Sequence, residues 1–323
     1  MLVITWNVRK HNAERFQKEL MVNAVKKQIR LGEPWVLALL ENVADGDEIG
    51  RTLVNELGGT HSLSISAGGN RNTAENVVII CGNCDSLTAE KYSGWEAEFN
   101  SRGGEIRDQA ISMAKDKGAD GARYSLRDNT VSKGVVQAQN APQWGSENCR
   151  SPVIAQVKAG NQQYKLCFIH SPGPQACSTL SKEKYAMRYF SSVMTKLQHE
   201  GVDGVFGDFN IYGAIDSTAH EFVADVSVEA GGTTFSKLGA LDTPGKSRLD
   251  RAFISRQYAG TSQAWAVNGT ATLSDHLGLA VTLEKLTDAE DSIAQRVKRG
   301  RRHVPPAIYP AEDERLVSLA QGY

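Results

Sequence analysis

Short apolar runs, each closed by a polar residue, alternate along this chain with stretches of helical spacing. Leu2 to Trp6 reads as a strand ending at Asn7. From Ala13 to Ile29, residues Phe16, Leu20, Ala24 and Ile29 fall near helical spacing, and Pro34 ends that helix. Val36-Leu37-Ala38-Leu39-Leu40 is a continuous apolar run, the pattern of a central strand covered on both faces, and it ends in Glu41-Asn42. A helix is predicted from Asp47 to Leu57, stopped by Gly58-Gly59, with strands over His61–Ser66 and Val77–Ile80 following. The pattern weakens from Asp85 to Asn148, which is polar and glycine-rich with one predicted helix over Glu105–Lys117. It reads as an insertion, 85–148, that shapes a substrate site or elaborates the surface. Strands resume over Val153–Val157 and Tyr164–Ile169, paired across Ala159-Gly160-Asn161. Lys182 to Glu200 is amphipathic, with Tyr185, Tyr189, Phe190, Val193 and Leu197 inward. Val202 to Phe206 forms a short buried strand, and Arg251–Ser255 and Leu277–Leu283 are late strands.

The alternation predicts an α/β domain over 1–286, followed by a basic tail over 287–323 that carries Arg296, Lys298, Arg299, Arg301 and Arg302. A chain of 323 residues with 41% hydrophobic content supports one large core. A formal net charge of −1 gives no global attraction to a polyanion, so any such binding is local. No apolar run reaches the length of a membrane span. Met1-Leu2-Val3-Ile4-Thr5-Trp6 is too short and lacks the basic start of a signal peptide. The expectation is a cytoplasmic protein, or one exported by a signal-independent route. The five cysteines, odd in number, argue against a disulfide framework; Cys81-Gly82-Asn83-Cys84 lacks a redox context and reads as structural thiols. Oligomeric state is left open.

Chemistry concentrates at the strand ends, where α/β sheets place their sites. Asn7, Glu41, His170, and the pair Asp208 and Asn210 each follow a strand; Asp250 and Asp275-His276 each precede one. With antiparallel neighbours, these starts and ends share one edge. Singly each has an ordinary explanation: a cap, a solvated carboxylate, a satisfied histidine. Jointly they suit phosphoester hydrolysis, which needs neutralised phosphoryl oxygens, an activated in-line water and help for the leaving oxygen. Oxygen donors without a cysteine cluster favour Mg²⁺ or Mn²⁺, with Glu41 and Asp275 as carboxylate ligands and Asn7 as the neutral one. His276 is suited to take a proton from water, oriented by Asp250. His170 and Asn210 are suited to donate hydrogen bonds to the crowded phosphorus centre, and the pair Asp208 and Asn210 suits a hard cation and a phosphate oxygen held together. Arg9, with Lys10 and His11, adds local positive charge for backbone phosphates.

These residues, in this order, resemble the endonuclease/exonuclease/phosphatase superfamily, the fold of deoxyribonuclease I. The resemblance rests on Trp6-Asn7, Leu40-Glu41-Asn42, Ile169-His170-Ser171-Pro172, Gly207-Asp208-Phe209-Asn210, Arg248-Leu249-Asp250-Arg251 and Ser274-Asp275-His276. It implies a four-layer α/β sandwich of two packed mixed sheets flanked by helices, and divalent-metal-dependent phosphoester cleavage. It implies a metal role for Asn7, Glu41 and Asp275, the orienting of water, phosphate or a second metal for Asp208 and Asn210, a phosphate-contacting or acid role for His170, and a general-base dyad of Asp250–His276. Cys149-Arg150-Ser151-Pro152 is most similar to the nuclease branch and to cytolethal distending toxin catalytic subunits, which implies a phosphate contact for Arg150. That branch also places a glutamate between Arg71 and Asn76 to assist the histidine matching His170; Glu75 lies there, in a local sequence that departs from the pattern. The leading expectation is an endonuclease acting on DNA. The alternatives are a phosphoinositide phosphatase or sphingomyelinase-like phosphodiesterase, and a binding module without activity.

Overall fold

A computed structural model describes residues 1–11, 18–42, 46–68, 75–101, 146, 149–171, 179–211, 223–227, 248–258, 260–267 and 273–284. The first half runs β1 (Leu2–His11), α1 (Lys18–Lys26), β2 (Trp35–Asn42), α2 (Gly46–Leu57), β3 (His61–Gly68), β4 (Glu75–Gly82), β5 (Ser86–Lys91) and α3 (Glu96–Ser101). The second runs β6 (Val153–Ala159), β7 (Gln162–His170), α4 (Thr179–Leu197), β8 (Gly204–Asp208), β9 (Val223–Asp225), β10 (Asp250–Ser255), β11 (Ala264–Val267) and β12 (Gly278–Thr282). The strands form two six-stranded mixed sheets, ordered β11-β12-β1-β2-β4-β3 and β5-β6-β7-β8-β10-β9.

Side-chain alternation along each strand divides the core into layers. Val3, Val36, Ala38, Val77 and Ile79 of the first sheet pack between the sheets against Leu166, Phe168, Phe206, Ala252 and Ile254 of the second. The intervening residues Ile4, Trp6, Leu37 and Ile80 face outward and are covered by Met21, Val22 and Val25 of α1 and Leu53 of α2. On the other outer face, Cys167, Ile169, Val205 and Phe253 pack against Tyr189, Phe190 and Val193 of α4 and Phe99 of α3. Helix, sheet, sheet, helix is the expected four-layer sandwich. The uninterrupted apolar run of β2 follows from burial on both faces.

Most predicted elements are present with shifted ends. Helix α2 stops where Gly58 takes a φ of 68° and Gly59 N–H bonds the Val54 carbonyl at 2.8 Å. The β6–β7 hairpin turns at Gly160, at a φ of 58°. One boundary differs from the sequence reading: β5 pairs antiparallel with β6, and Trp95 and Phe99 are buried, so the second sheet and its core take in the first part of the stretch assigned to the insertion. The predicted helix over 105–117 lies outside the described residues, as does the unit Lys285–Tyr323 with its basic run. Cys81, Cys84, Cys149 and Cys167 are buried free thiols, and Cys177 lies outside the described residues. Among the described residues no helix is long and apolar enough to cross a membrane.

Candidate active site

Strand direction gathers the polar strand ends at one edge. β7 and β8 are parallel and end together, with His170 beside Asp208. β10 is antiparallel to β8, so its first residue, Asp250, sits opposite Asp208. In the facing sheet β1 and β2 are parallel and place Asn7 beside Leu40, next to Glu41. β12 is antiparallel to β1, which brings the preceding Asp275-His276 to the same edge.

The centre of the cluster is Asp208, which is buried. Its Oδ2 accepts a hydrogen bond from Asn7 Nδ2 at 2.8 Å, across the two sheets. The same oxygen lies 3.7 Å from His170 Nε2 and 3.8 Å from His276 Nε2. Its Oδ1 accepts the Asn210 backbone N–H at 2.9 Å. Asn210 Nδ2 in turn donates to the Ser171 carbonyl at 2.9 Å. Gly207 makes this possible. Its φ is 141°, and a Cβ there would stand 1.9 Å from the Ile169 carbonyl oxygen. Only glycine lets β8 run this close to β7 before the chain turns outward.

Each histidine has its own carboxylate. His276 Nδ1 bonds Asp250 Oδ2 at 2.8 Å. His170 Nδ1 lies 2.9 and 3.0 Å from the two oxygens of Glu75. These bonds fix the tautomers, with Nδ1–H donated outward and Nε2 of both rings turned toward Asp208. Burial is the largest influence on His170 and lowers its pKa; the nearby Arg150 charge lowers it further, Asp208 and Glu41 oppose only in part, and it falls to about 4. Burial also works against the His276 cation, but Asp250, Asp208 and Asp275 together outweigh it and raise its pKa to about 10.

Glu41 reaches the site through a β-bulge. Leu39 pairs with Val78 and Asn42 with Asn76, so β2 carries one more residue than β4 between these pairs. Glu41 takes up the excess at a φ of 58°. Without the bulge, alternation would direct it to the outer face with Leu39. Of the described non-glycine residues, Glu41, Asn83 and Asn210 have positive φ, and two of these are at the site. Such a conformation costs on the order of 1–3 kcal/mol and gathers at functional sites. Glu41 is half-buried and makes no hydrogen bond or ion pair among the described residues.

The structure thus brings Asn7, His170, Asp208, Asn210, Asp250 and His276 together, with Glu41 and Asp275 close enough to influence the histidines. Arg150 sits behind them. The resemblance implies a phosphate contact for it; the structure buries it and turns its Nε onto Glu75 Oε2 at 2.8 Å. The side chain of Arg9 lies outside the described residues. Glu75, whose local sequence matched poorly, does hold His170. Two residues without any assigned role fix His276: Trp6 Nε1 donates to its carbonyl at 2.9 Å, and Ser274 Oγ accepts its N–H at 3.1 Å while donating to the Asn7 carbonyl at 2.7 Å. Their place inside the Trp6-Asn7 and Ser274-Asp275-His276 motifs was the only signal for them.

Among the described residues no group of three or more His, Cys, Asp or Glu gathers as a metal cluster. The expected set is different in kind: the carboxylates of Glu41 and Asp275 and the amide of Asn7, all hard oxygen donors that fit Mg²⁺ or Mn²⁺. The strained carboxylate of Glu41, without a hydrogen-bond or ion-pair partner among the described residues, is what a cation would satisfy.

No family model and no curated protein matches the sequence. Solved structures do. A conserved protein of unknown function from Enterococcus faecalis V583 is 13% identical, with a TM-score of 0.51 over 88% of this chain and 100% of that one. An endonuclease/exonuclease/phosphatase family protein from Bacteroides thetaiotaomicron is 11% identical, with a TM-score of 0.50 over 87% and 93%. An endonuclease/exonuclease/phosphatase from Beutenbergia cavernae DSM 12333 is 12% identical, with a TM-score of 0.50 over 87% and 70%. The chain shares the fold of these structures.

Proposed function

We propose that this protein is a divalent-metal-dependent phosphoester hydrolase and that it cleaves DNA backbone phosphodiester bonds as an endonuclease. The observation that carries this reading is the convergence of two carboxylate-held histidines on Asp208 Oδ2, at 3.7 and 3.8 Å. A water placed there would have His276 Nε2 as its base, with Asp208 and the Nε2 of His170 as further polar neighbours.

Mg²⁺ or Mn²⁺ held by Glu41, Asn7 and Asp275 would neutralise charge on the phosphoryl oxygens and, as a nearby cation, would disfavour the charged form of His276. His276 then accepts the proton of the attacking water at Nε2, while Asp250 holds Nδ1–H and stabilises the cation that forms. Asp208 orients that water. Asn210 uses one amide hydrogen on the Ser171 carbonyl and has a second for a phosphoryl oxygen. His170, held by Glu75, presents its Nε2 to the same site. Lys10, His11 and Arg9 supply charge for the strand backbone.

The test is nicking of supercoiled plasmid in Mg²⁺, run beside phosphate release from inositol lipids. Nicking is expected in Mg²⁺ and not in EDTA, and His276→Ala is expected to reduce it about 100- to 10,000-fold. Full nicking by His276→Ala would sink the mechanism. Release of phosphate from lipids without nicking would move the activity to lipid substrates.

A further inference from the structure

Arg251 is buried on the side of β10 that faces away from the catalytic cluster. Alternation along the strand sets its direction. Ala252 and Ile254 pack between the sheets, and Phe253 packs outward in the layer beneath α4, so Arg251 turns outward with Phe253. Burial lowers its pKa, Asp225 opposes this, and Arg248 lowers it further. A guanidinium kept there is held at a cost that an apolar side chain of the same size would not incur.

What it holds is backbone. Arg251 Nη2 donates to the Ile211 carbonyl at 3.0 Å, and Asp225 lies 3.7 Å from its Nη1. Ile211 directly follows Asn210, the residue read above as a donor to a phosphoryl oxygen. Asn210 has a φ of 51°, a conformation that a non-glycine residue keeps only where its surroundings impose it.

Those surroundings grip the turn at both ends. Where the chain enters, Phe209 N–H bonds the Leu249 carbonyl at 2.8 Å and Asp208 Oδ1 accepts the Asn210 N–H at 2.9 Å. Where the chain leaves, Arg251 takes the Ile211 carbonyl. It does so from a fixed platform, because Arg251 pairs with Gly207 in the β8–β10 ladder, one step from the Asp250–Asp208 pair. The side chains of Phe209 and Ile211 are buried in the same outer core. Apolar burial is non-directional and places them without fixing the peptide between them and the next residue. A hydrogen bond to the carbonyl does fix it. A methionine would fill the volume of Arg251 and could not supply that bond.

We infer that Arg251 is a positioning residue of the site: from the outer face of β10 it holds the exit of the Asp208–Ile211 turn and so keeps the Asn210 carboxamide aimed at the phosphoryl group. This deepens the hydrolase reading and rests on it for the role of Asn210. That Arg251 sets the turn is testable without catalysis.

Amide hydrogen exchange of the full chain in EDTA is followed in the wild type, Arg251→Met and Arg251→Lys. Arg251→Met is expected to speed exchange of the 208–211 amides about tenfold or more while the β3–β4 hairpin exchanges as in the wild type. Arg251→Lys, which keeps a donor but loses the planar fork, is expected to lie between. Plasmid nicking in Mg²⁺ is then compared in the wild type, Arg251→Met, Asn210→Ala and the double variant. Arg251→Met is expected to lower kcat about tenfold with KM little changed, and to cause no further loss once Asn210 is Ala. Unchanged exchange over 208–211 in Arg251→Met would overturn the proposal, as would losses of nicking that multiply in the double variant. Exchange raised equally across both sheets would make Arg251 merely structural. If Arg251→Met does not fold, Arg251→Lys carries the comparison, and wild-type exchange over 208–211 in that variant overturns it. Faster local exchange in Arg251→Met, with no nicking by the wild type, would leave Arg251 as the residue that sets the turn and remove the nuclease reading.

Discussion

His170 and His276 lie on either side of one carboxylate oxygen and are driven in opposite directions. Burial and Arg150 hold His170 neutral, with a pKa of about 4. Three carboxylates hold His276 charged against its burial, with a pKa of about 10. Each shift has a consequence for stability with a definite sign. His276 is raised above the ordinary 6.5, so its contribution is complete below pH 6.5 and is lost as pH climbs toward 10. His170 is depressed below 6.5, so the unfolded chain takes up a proton that the native state refuses; stability present above pH 6.5 is lost as pH falls toward 4. The metal-free protein should be most stable near pH 6.5 as far as these two groups decide it. Urea denaturation in EDTA between pH 4 and 10 measures this. His276→Asn should flatten the alkaline limb and His170→Asn the acid one. An alkaline limb unchanged in His276→Asn would mean that Asp250 and Asp208 do not hold the proton there.

At the scale of elements, the site depends on two departures from regular strand geometry. One is the bulge that re-aims Glu41; the other is the close approach of β8 to β7 at Gly207. Gly207→Ala puts a methyl group 1.9 Å from the Ile169 carbonyl oxygen, at a φ of 141°. Relief requires β8 to shift against β7. The expected cost is on the order of 3 kcal/mol in urea denaturation, with loss of the Asp208–Asn7 contact. A cost below about 1 kcal/mol would show that the approach is not needed. These two devices also mark what was legible in the sequence. The apolar runs closed by Asn7, Glu41, His170 and Asp208 announce themselves, because an apolar run closed by one polar residue is what a buried strand meeting a site requires, although β1 itself continues to His11 and β2 to Asn42. β5 does not: Ser86-Leu87-Thr88-Ala89-Glu90-Lys91 is an edge strand with one buried residue, too little apolar patterning to separate it from a loop. The bulge at Glu41 is invisible because it exists only as a mismatch with β4. The bond from Glu75 to His170 spans the two sheets, and no local pattern encodes it.

Across the whole sandwich, the polar contacts of the site are also ties between its sheets. Asn7 reaches from β1 to Asp208 on β8, Glu75 from β4 to His170 on β7, and Asp250 on β10 to His276 just ahead of β12. Glu75 bears the most, since it also holds Arg150, and all three side chains are buried. Removing one partner of a buried pair leaves the other charge unanswered, at about 3–5 kcal/mol. Glu75→Ala should therefore unfold the protein more easily than any loss of contact area would suggest, by stranding the Arg150 guanidinium between the sheets. The paired change separates structure from chemistry. Replacing Glu75 and Arg150 together with Leu and Met removes both charges and keeps the volume, so most of the lost stability should return. Activity should not return with it, because His170 would have no carboxylate to hold its Nδ1–H and orient Nε2 toward Asp208. Thermal unfolding and plasmid nicking of the wild type, the single variant and the double variant decide the matter. A double variant as unstable as Glu75→Ala would show that the stranded Arg150 charge is not the cause. A double variant that nicks at the wild-type rate would show that Glu75 serves only to hold the sheets together.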